Sequence, residues 1–319
     1  MVQKKPAGDG LARRFVRYLK LERNYSPNTI AAYLHDLRYL FDFLDKRGLS
    51  PLSVKLADLE AFVASLHDYQ IGATSQARII FGVRSFYHYL TLDGYLEVDP
   101  TELLETPQKP QHLPEYLTTE EVNALEDSID LSEKEGQRNR AIIEVLFCCG
   151  LRVSELVNLH LSDLYLSEHF IRVLGKGSKE RLVPITDSAI TELQAWFKDR
   201  SLLKIKPGEE DYVFLNRRGH HLTRTMILIM VKKQALMAGI TKTISPHTLR
   251  HSFATALLRG GADLRVIQEL LGHADIGTTE IYTHLDDESL RQEILLHHPR
   301  NRQNNTEETE ETEETKETE

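Results

Sequence analysis

Six residues between positions 152 and 282 are of types that together perform one kind of chemistry. Arg152 stands in Gly150-Leu151-Arg152-Val153-Ser154-Glu155 and Lys176 in Gly175-Lys176-Gly177. His247 and Arg250 stand in His247-Thr248-Leu249-Arg250-His251, His273 follows Leu271-Gly272, and Tyr282 lies in Ile281-Tyr282-Thr283-His284. Singly, each has an ordinary reading. An arginine at a helix start is a surface or ion-paired residue, His and Arg three apart form a solvated helix edge, and a lysine in a turn is merely hydrated. A tyrosine near a helix packs its ring and wets its hydroxyl.

Together they match the demands of attack on a phosphodiester. The transition state concentrates negative charge on the non-bridging oxygens, and a guanidinium pairs with these bidentately while staying charged at any accessible pH. Two arginines can therefore stand where another enzyme uses a metal. A lysine or histidine can protonate the leaving 5′ oxygen, and a phenol of ordinary pKa near 10 attacks once an acceptor or cationic surroundings favour its phenolate. The product is a covalent phosphotyrosyl link that keeps the phosphodiester energy, so resealing needs no ATP. The sequence has no GxxxxGK[ST] phosphate loop and no carboxylate cluster at metal-ligand spacing, so neither a cofactor nor a metal is expected.

These residues need elements to position them, and the chain supplies two sets. Residues 11–98 read as a helical module without alternating strands. Its clearest helix opens at Ser26-Pro27 and places Ile30, Tyr33, Leu34, Leu37, Leu40, Phe41 and Leu44 on one face. Leu59, Phe62, Val63 and Leu66 mark a shorter helix, and Ile79, Ile80, Val83, Phe86, Tyr87 and Leu90 a longer one; Leu11, Phe15, Tyr18 and Leu19 complete a four-helix bundle. Between Asp99 and Leu117 the prolines Pro100, Pro107, Pro110 and Pro114 predict an extended linker.

The second domain, 118–300, opens at Thr118 with Glu121 three residues on, the pattern of a capping box. A helix carrying Ile142, Ile143, Val145 and Leu146 follows. Phe170–Leu174 and Leu182–Ile185 around Gly175-Lys176-Gly177 predict a hairpin. The fold class expected is mainly α with a small antiparallel β-sheet: a helical N-terminal domain and a mixed α+β catalytic domain. A flexible N-terminus (1–10) and a disordered acidic tail (301–319) flank them.

Composition sets bounds on partners and compartment. The 319 residues are 41% apolar, enough for a core in each of two domains. Cys148 and Cys149 are sequence neighbours in an apolar run and read as reduced core residues. No apolar stretch reaches 18 residues and no apolar block follows Lys4-Lys5, so a cytoplasmic protein without a membrane partner is expected. Net charge is −9, but residues 301–319 carry eight Glu against Arg302 and Lys316, a net of −6, leaving about −3 for the rest. A nearly neutral body can still present a basic face to DNA.

The motifs and their order resemble the tyrosine site-specific recombinase family, and within it the bacterial Xer recombinases, from about residue 10 to 300. Around Thr279–His284 the chain resembles the D-type slightly more than the C-type. The resemblance implies that Arg152, His247, Arg250 and His273 bind and neutralise the scissile phosphate. It further implies that Lys176 is the general acid, that Tyr282 is the nucleophile forming a 3′-phosphotyrosyl intermediate, and that Glu155 orients its neighbours. It also implies a core-binding domain and a catalytic domain clamping duplex DNA from opposite sides. Paired subunits would form a tetramer on a recombination site, with a DNA translocase of the division septum as a possible activator and chromosome-dimer resolution at cell division as the role. The helix containing Leu295, Leu296, His297, His298 and Pro299 would dock on a neighbouring subunit, and the acidic repeat beyond it is a departure from the family pattern.

Weaker expectations concern DNA contact: Arg78 and Arg84 with Ser75, Gln76 and Tyr87 on one helix, Arg38 with Asn28, Thr29 and His35 on another, and Arg224 with Thr223 and Thr225 at a helix N-terminus. An integrase of a phage or mobile element, a topoisomerase with the same residues, and a non-enzymatic DNA-binding protein are the competing readings. The last predicts losses among the catalytic positions, and all six are filled.

Overall fold

The computed structural model describes residues 8–107, 115–175, 180–272 and 287–301. Chain contacts divide the molecule into residues 1–112 and 113–319. The first unit contains α1 (Asp9–Leu21), α2 (Pro27–Arg47), α3 (Leu56–Asp68) and α4 (Ala73–Leu92). Local sequence explains the longest of them. The Ser26 hydroxyl accepts the Thr29 N–H at 3.2 Å, Pro27 takes a position whose missing N–H costs nothing, and Gly48 ends α2 at φ +67°.

The apolar faces meet in a core of Phe15, Leu19, Leu37, Leu40, Leu59, Phe62, Ile80, Val83 and Phe86. Helices α2 and α4 pack closely at Gly82, where a Cβ would lie 3.1 Å from the Asp36 Cβ. Leu104 joins this core, and buried Thr101 bonds to Asp99, so the beginning of the proline-rich segment is packed on the first unit.

In the second unit, Glu115 is the first described residue. Its side chain accepts the Thr243 N–H, and the buried Leu117 N–H donates to Ser252 Oγ at 2.7 Å. Thr118 and Glu121 form the expected capping box of α5 (Thr119–Asp127). Then come α6 (Gly136–Cys149), the single-turn α7 (Val153–Val157) and an antiparallel sheet of order β1 (Leu164–Tyr165), β2 (Phe170–Leu174) and β3 (Glu180–Pro184). Phe170 pairs with Pro184 and Leu174 with Glu180. The second strand of the hairpin starts two residues earlier than predicted, because Glu180 and Arg181 remain in register with β2 despite their polarity. The sequence reading contained no β1; two residues carry no periodicity.

Helices α8 (Asp187–Ser201), α9 (Arg224–Met237), α10 (Pro246–Gly260), α11 (Leu264–Leu270) and α12 (Asp287–His297) complete the unit. Helix α6 is buried nearly all round, with Ile142, Ile143, Val145, Leu146 and Phe147 inaccessible. Cys148 and Cys149 are free and fully buried, and burial pushes both thiols up, consistent with small core residues. Among the described residues no helix is long and apolar enough to cross a membrane.

Helix α12 lies against α10 and β3 of its own chain, with Leu290 and Ile294 joining Phe253 and Leu257 in a small core. Two contacts hold the segment in place. The His298 ring is fully buried beside Phe147 and Phe253, and Arg300 reaches two buried carboxylates, Glu126 at 2.7 Å and Glu144 at 2.8 Å.

Candidate active site

Arg152 is delivered by the way α6 ends. Gly150 caps the helix at φ +57°, and a Cβ there would fall 2.3 Å from the Phe253 ring, so the glycine of the Gly-Leu-Arg motif is required both by conformation and by space. Arg152 is then the N-cap of α7, with Glu155 at the third helical position. The Glu155 carboxylate accepts the Arg152 backbone N–H at 2.8 Å and its Nη1 at 2.8 Å.

Arg250 arrives from α10. This helix starts at Ser245, whose Oγ accepts the Thr248 N–H, with Pro246 in its first turn. His247 is exposed in that turn and Arg250, one turn on, is only 5% exposed. Its guanidinium donates to the Gly150 and Leu271 carbonyls and lies 3.9 Å from Glu155. Burial, followed by the neighbouring Arg152 cation, pushes its pKa down to about 10, so it remains charged at neutral pH.

Glu155 is the hub of this arrangement. Burial alone would raise its carboxyl, but bonds from Arg181 and Arg152 outweigh burial and hold it below the usual carboxylate range. The structure thus brings Arg152, Arg250 and the supporting Glu155 together and sets His247 on the same helix as Arg250. Lys176, His273 and Tyr282 lie outside the described residues.

One participant was missed by the sequence reading. Arg181, on β3, donates from Nη1 and Nη2 to the two oxygens of Glu155 at 2.9 Å each, and from Nε to the Leu270 carbonyl at 3.2 Å. The only sequence signal was an arginine immediately before the expected second strand of the hairpin, Leu182–Ile185.

With five N–H donors per guanidinium, Arg152 spends one on Glu155 and one on the Gly272 carbonyl at 2.9 Å, so that among the described residues three donors have no partner. Its side chain is 36% exposed, so those donors are accessible. Three arginines around one carboxylate leave a surplus of positive charge that a phosphate can neutralise.

The weaker DNA-contact residues divide by environment. Arg38 and Arg224 are exposed, and Arg224 is the first residue of α9 behind its Thr223 cap. Arg78 is half exposed but paired with buried Asp36 at 2.7 Å, and Arg84 donates to the Leu104 carbonyl. Tyr87 is fully buried, and Gln76 is turned inward to the Ile71 carbonyl at 2.6 Å, so neither is presented to a groove.

Comparison with known proteins matches this architecture domain by domain. Residues 115–289 match the phage integrase family and residues 12–94 the phage integrase N-terminal SAM-like domain. The chain is 44% identical over 293 residues to tyrosine recombinase XerD of Listeria monocytogenes, covering 91% of this chain and 99% of that one. It is 40% identical over 293 residues to tyrosine recombinase XerD of Staphylococcus saprophyticus, covering 92% and 99%. Among solved structures, XerH site-specific recombinase bound to a palindromic difH substrate in a post-cleavage complex aligns at a TM-score of 0.70 with 25% identity, over 93% of this chain and 98% of that one. The fold, the arginine cluster and these relatives converge: the chain belongs to the phage integrase family as an Xer-type tyrosine recombinase, an enzyme that cleaves and rejoins DNA at specific sites.

Proposed function

We propose that Tyr282 attacks a scissile phosphate of duplex DNA to form a 3′-phosphotyrosyl intermediate. In this reading Arg152, Arg250, His247 and His273 neutralise the non-bridging oxygens and Lys176 protonates the leaving 5′ oxygen. The observation that carries it is the convergence of Arg152 and Arg250 on buried Glu155, with guanidinium donors of Arg152 left open to an anion. Attack displaces the 5′ oxygen, and a 5′ hydroxyl reverses the step to reseal a strand; the bond energy stays in the ester, and neither ATP nor a metal enters this scheme.

The helical unit (11–98) serves as the core-binding domain, residues 99–117 as the connection and 118–300 as the catalytic domain. The relatives supply the wider role. The XerH structures are of a recombinase on its difH site, and this chain acts in the same way on a double-stranded recombination site, as paired subunits in a tetramer. Its work is resolution of chromosome dimers at cell division in the cytoplasm, with a septal DNA translocase as activator. Identity of 40–44% to XerD proteins over nearly their whole length favours this role over that of a phage or mobile-element integrase.

A duplex nicked next to the cleavage position traps the intermediate. The expected result is a covalent protein–DNA adduct that disappears in Tyr282→Phe; an adduct that persists in that variant sinks the assignment. Exchange of strands between two target sites then separates a recombinase from a topoisomerase, which would nick and reseal without exchange.

A further inference from the structure

Three arginines donate to three consecutive carbonyls at the end of α11: Arg181 to Leu270, Arg250 to Leu271 and Arg152 to Gly272. These carbonyls belong to the last turn of α11 and its C-terminal end, where the helix dipole favours cations. Gly272 sits at φ +61°, and a Cβ there would lie 3.3 Å from Cδ, Cζ and Nε of Arg181. The glycine of the Leu-Gly-His motif is therefore packed directly on the Arg181 side chain.

The three arginines differ in what they have left to offer. Among the described residues Arg152 has only two donors engaged, and its side chain is 36% exposed. Arg181 has all three of its nitrogens engaged, and its side chain is 15% exposed. Its fork grips both oxygens of Glu155, the same oxygens that receive the Arg152 backbone N–H and Nη1. Of the groups that hold the Glu155 carboxyl ionised despite its burial, Arg181 contributes most.

On the reading given under Proposed function, we infer that Arg181 is a positioning residue for strand cleavage: it locks Glu155, and through Glu155 the Arg152 guanidinium, in the geometry that receives the scissile phosphate. Its contribution reaches the phosphate only through Arg152. Without the fork, the buried carboxylate keeps one cationic partner at bonding distance instead of two. It then takes up a proton or turns toward Arg250, and in both cases Arg152 loses the anchor that holds its Nη1. Lysine keeps the charge but makes one bond where arginine makes two.

The test measures DNA affinity and the rate of covalent adduct formation at saturating nicked duplex, using the full chain and its Arg181→Gln, Arg181→Lys and Arg152→Ala variants. Each protein is assayed on a normal scissile phosphate and on a methylphosphonate, which has no negative charge for a guanidinium to neutralise. A displaced guanidinium predicts a rate on phosphate lowered roughly 10- to 100-fold in Arg181→Gln, with unchanged affinity. Arg181→Lys falls between Arg181→Gln and the parent. On methylphosphonate the gap between parent and Arg181→Gln closes, as it does for Arg152→Ala.

A deficit of equal size on both substrates shows a general structural role and overturns the inference, as does an Arg181→Gln variant that cleaves phosphate as fast as the parent. Thermal unfolding of each variant identifies any that fail to fold, and Arg181→Lys, which retains the cation, then carries the comparison. A parent chain that forms no adduct overturns the recombinase reading and this inference with it. A parent that cleaves normally beside an unaffected Arg181→Gln overturns the inference alone.

Discussion

Two clusters of arginine and carboxylate in the catalytic unit are built from the same groups with opposite imbalance. Around Glu155, three guanidiniums (Arg152, Arg181 and Arg250) share one carboxylate. Around Arg300, one guanidinium serves two carboxylates, Glu126 and Glu144. A surplus of buried carboxylate can be relieved by a proton. Burial, then the nearby Glu144, pushes the Glu126 carboxyl up to about 9, while Glu144 is held down by bonds from Glu126 and the Arg300 cation, which outweigh its own burial.

A surplus of guanidinium has no such outlet at neutral pH. It waits for an anion. The same chemistry therefore makes a closed anchor in one place and, in the other, an open cluster that the proposed function assigns to the scissile phosphate. His298 completes the anchor as a neutral ring, its pKa pushed down to about 4 by burial.

The largest effect that would test this contrast is on rate. Arg152→Lys or Arg250→Lys should slow adduct formation by roughly 10²- to 10³-fold with little change in DNA affinity, because an ammonium makes no bidentate phosphate contact. Equal losses of rate and affinity would make the open cluster a binding patch and erase the distinction.

The anchor should respond in stability instead. Arg300→Ala leaves buried Glu144 without its cation and is expected to cost about 3–5 kcal/mol in urea unfolding. The combination Arg300→Met with Glu144→Gln should recover much of that loss. If it does not, charge balance is not what the anchor supplies.

The pH responses of the clusters have opposite sign. Glu155 has a depressed pKa, so its contribution to stability is present above its unfolded value, near 4.3, and is lost as pH falls through the folded one. Glu126 has a raised pKa, so its contribution is complete below its unfolded value and is lost as pH rises through about 9. Melting temperature against pH, compared between the parent and Glu126→Gln, should show the alkaline loss disappear in the variant. An unchanged alkaline limb would place the titrating group elsewhere.

Smaller effects belong to the scaffold and the outer contacts. Gly150→Ala combines a positive φ with a collision against Phe253 and should destabilise by about 1–3 kcal/mol. Arg224→Ala or Arg38→Ala should weaken DNA binding uniformly across sequences and reduce the salt slope by about 0.9 per lost phosphate contact. An unchanged slope removes that residue from the interface.

Much of this was legible in the chain. The apolar spacing of Ile30 through Leu44 gives α2, Thr118 with Glu121 gives the start of α5, and Arg152 was placed at a helix start, because each depends on interactions within a few residues. The hairpin was legible as a pair of strands, though not with the two polar residues at the start of β3, since strand pairing overrode their local preference. Gln76 was offered to a DNA groove and Tyr87 both to that groove and to the apolar face of its helix; both are buried, because which face of α4 packs inward is fixed by α2 and α3.

What the sequence by itself determined is the set of candidate residue types, their order, and many of the helices that position them; the helices follow from short-range periodicity, capping and backbone conformation. Only the tertiary structure decided the partnerships. That Arg181 grips Glu155, that three arginines share the carbonyls of Leu270, Leu271 and Gly272, and that Arg300 closes on Glu126 and Glu144 are contacts between residues distant in the chain. Their physical reason is burial. Folding removes these charges from water, and each must then find its counter-charge or hydrogen-bond acceptor wherever the packing of helices and sheet has placed one.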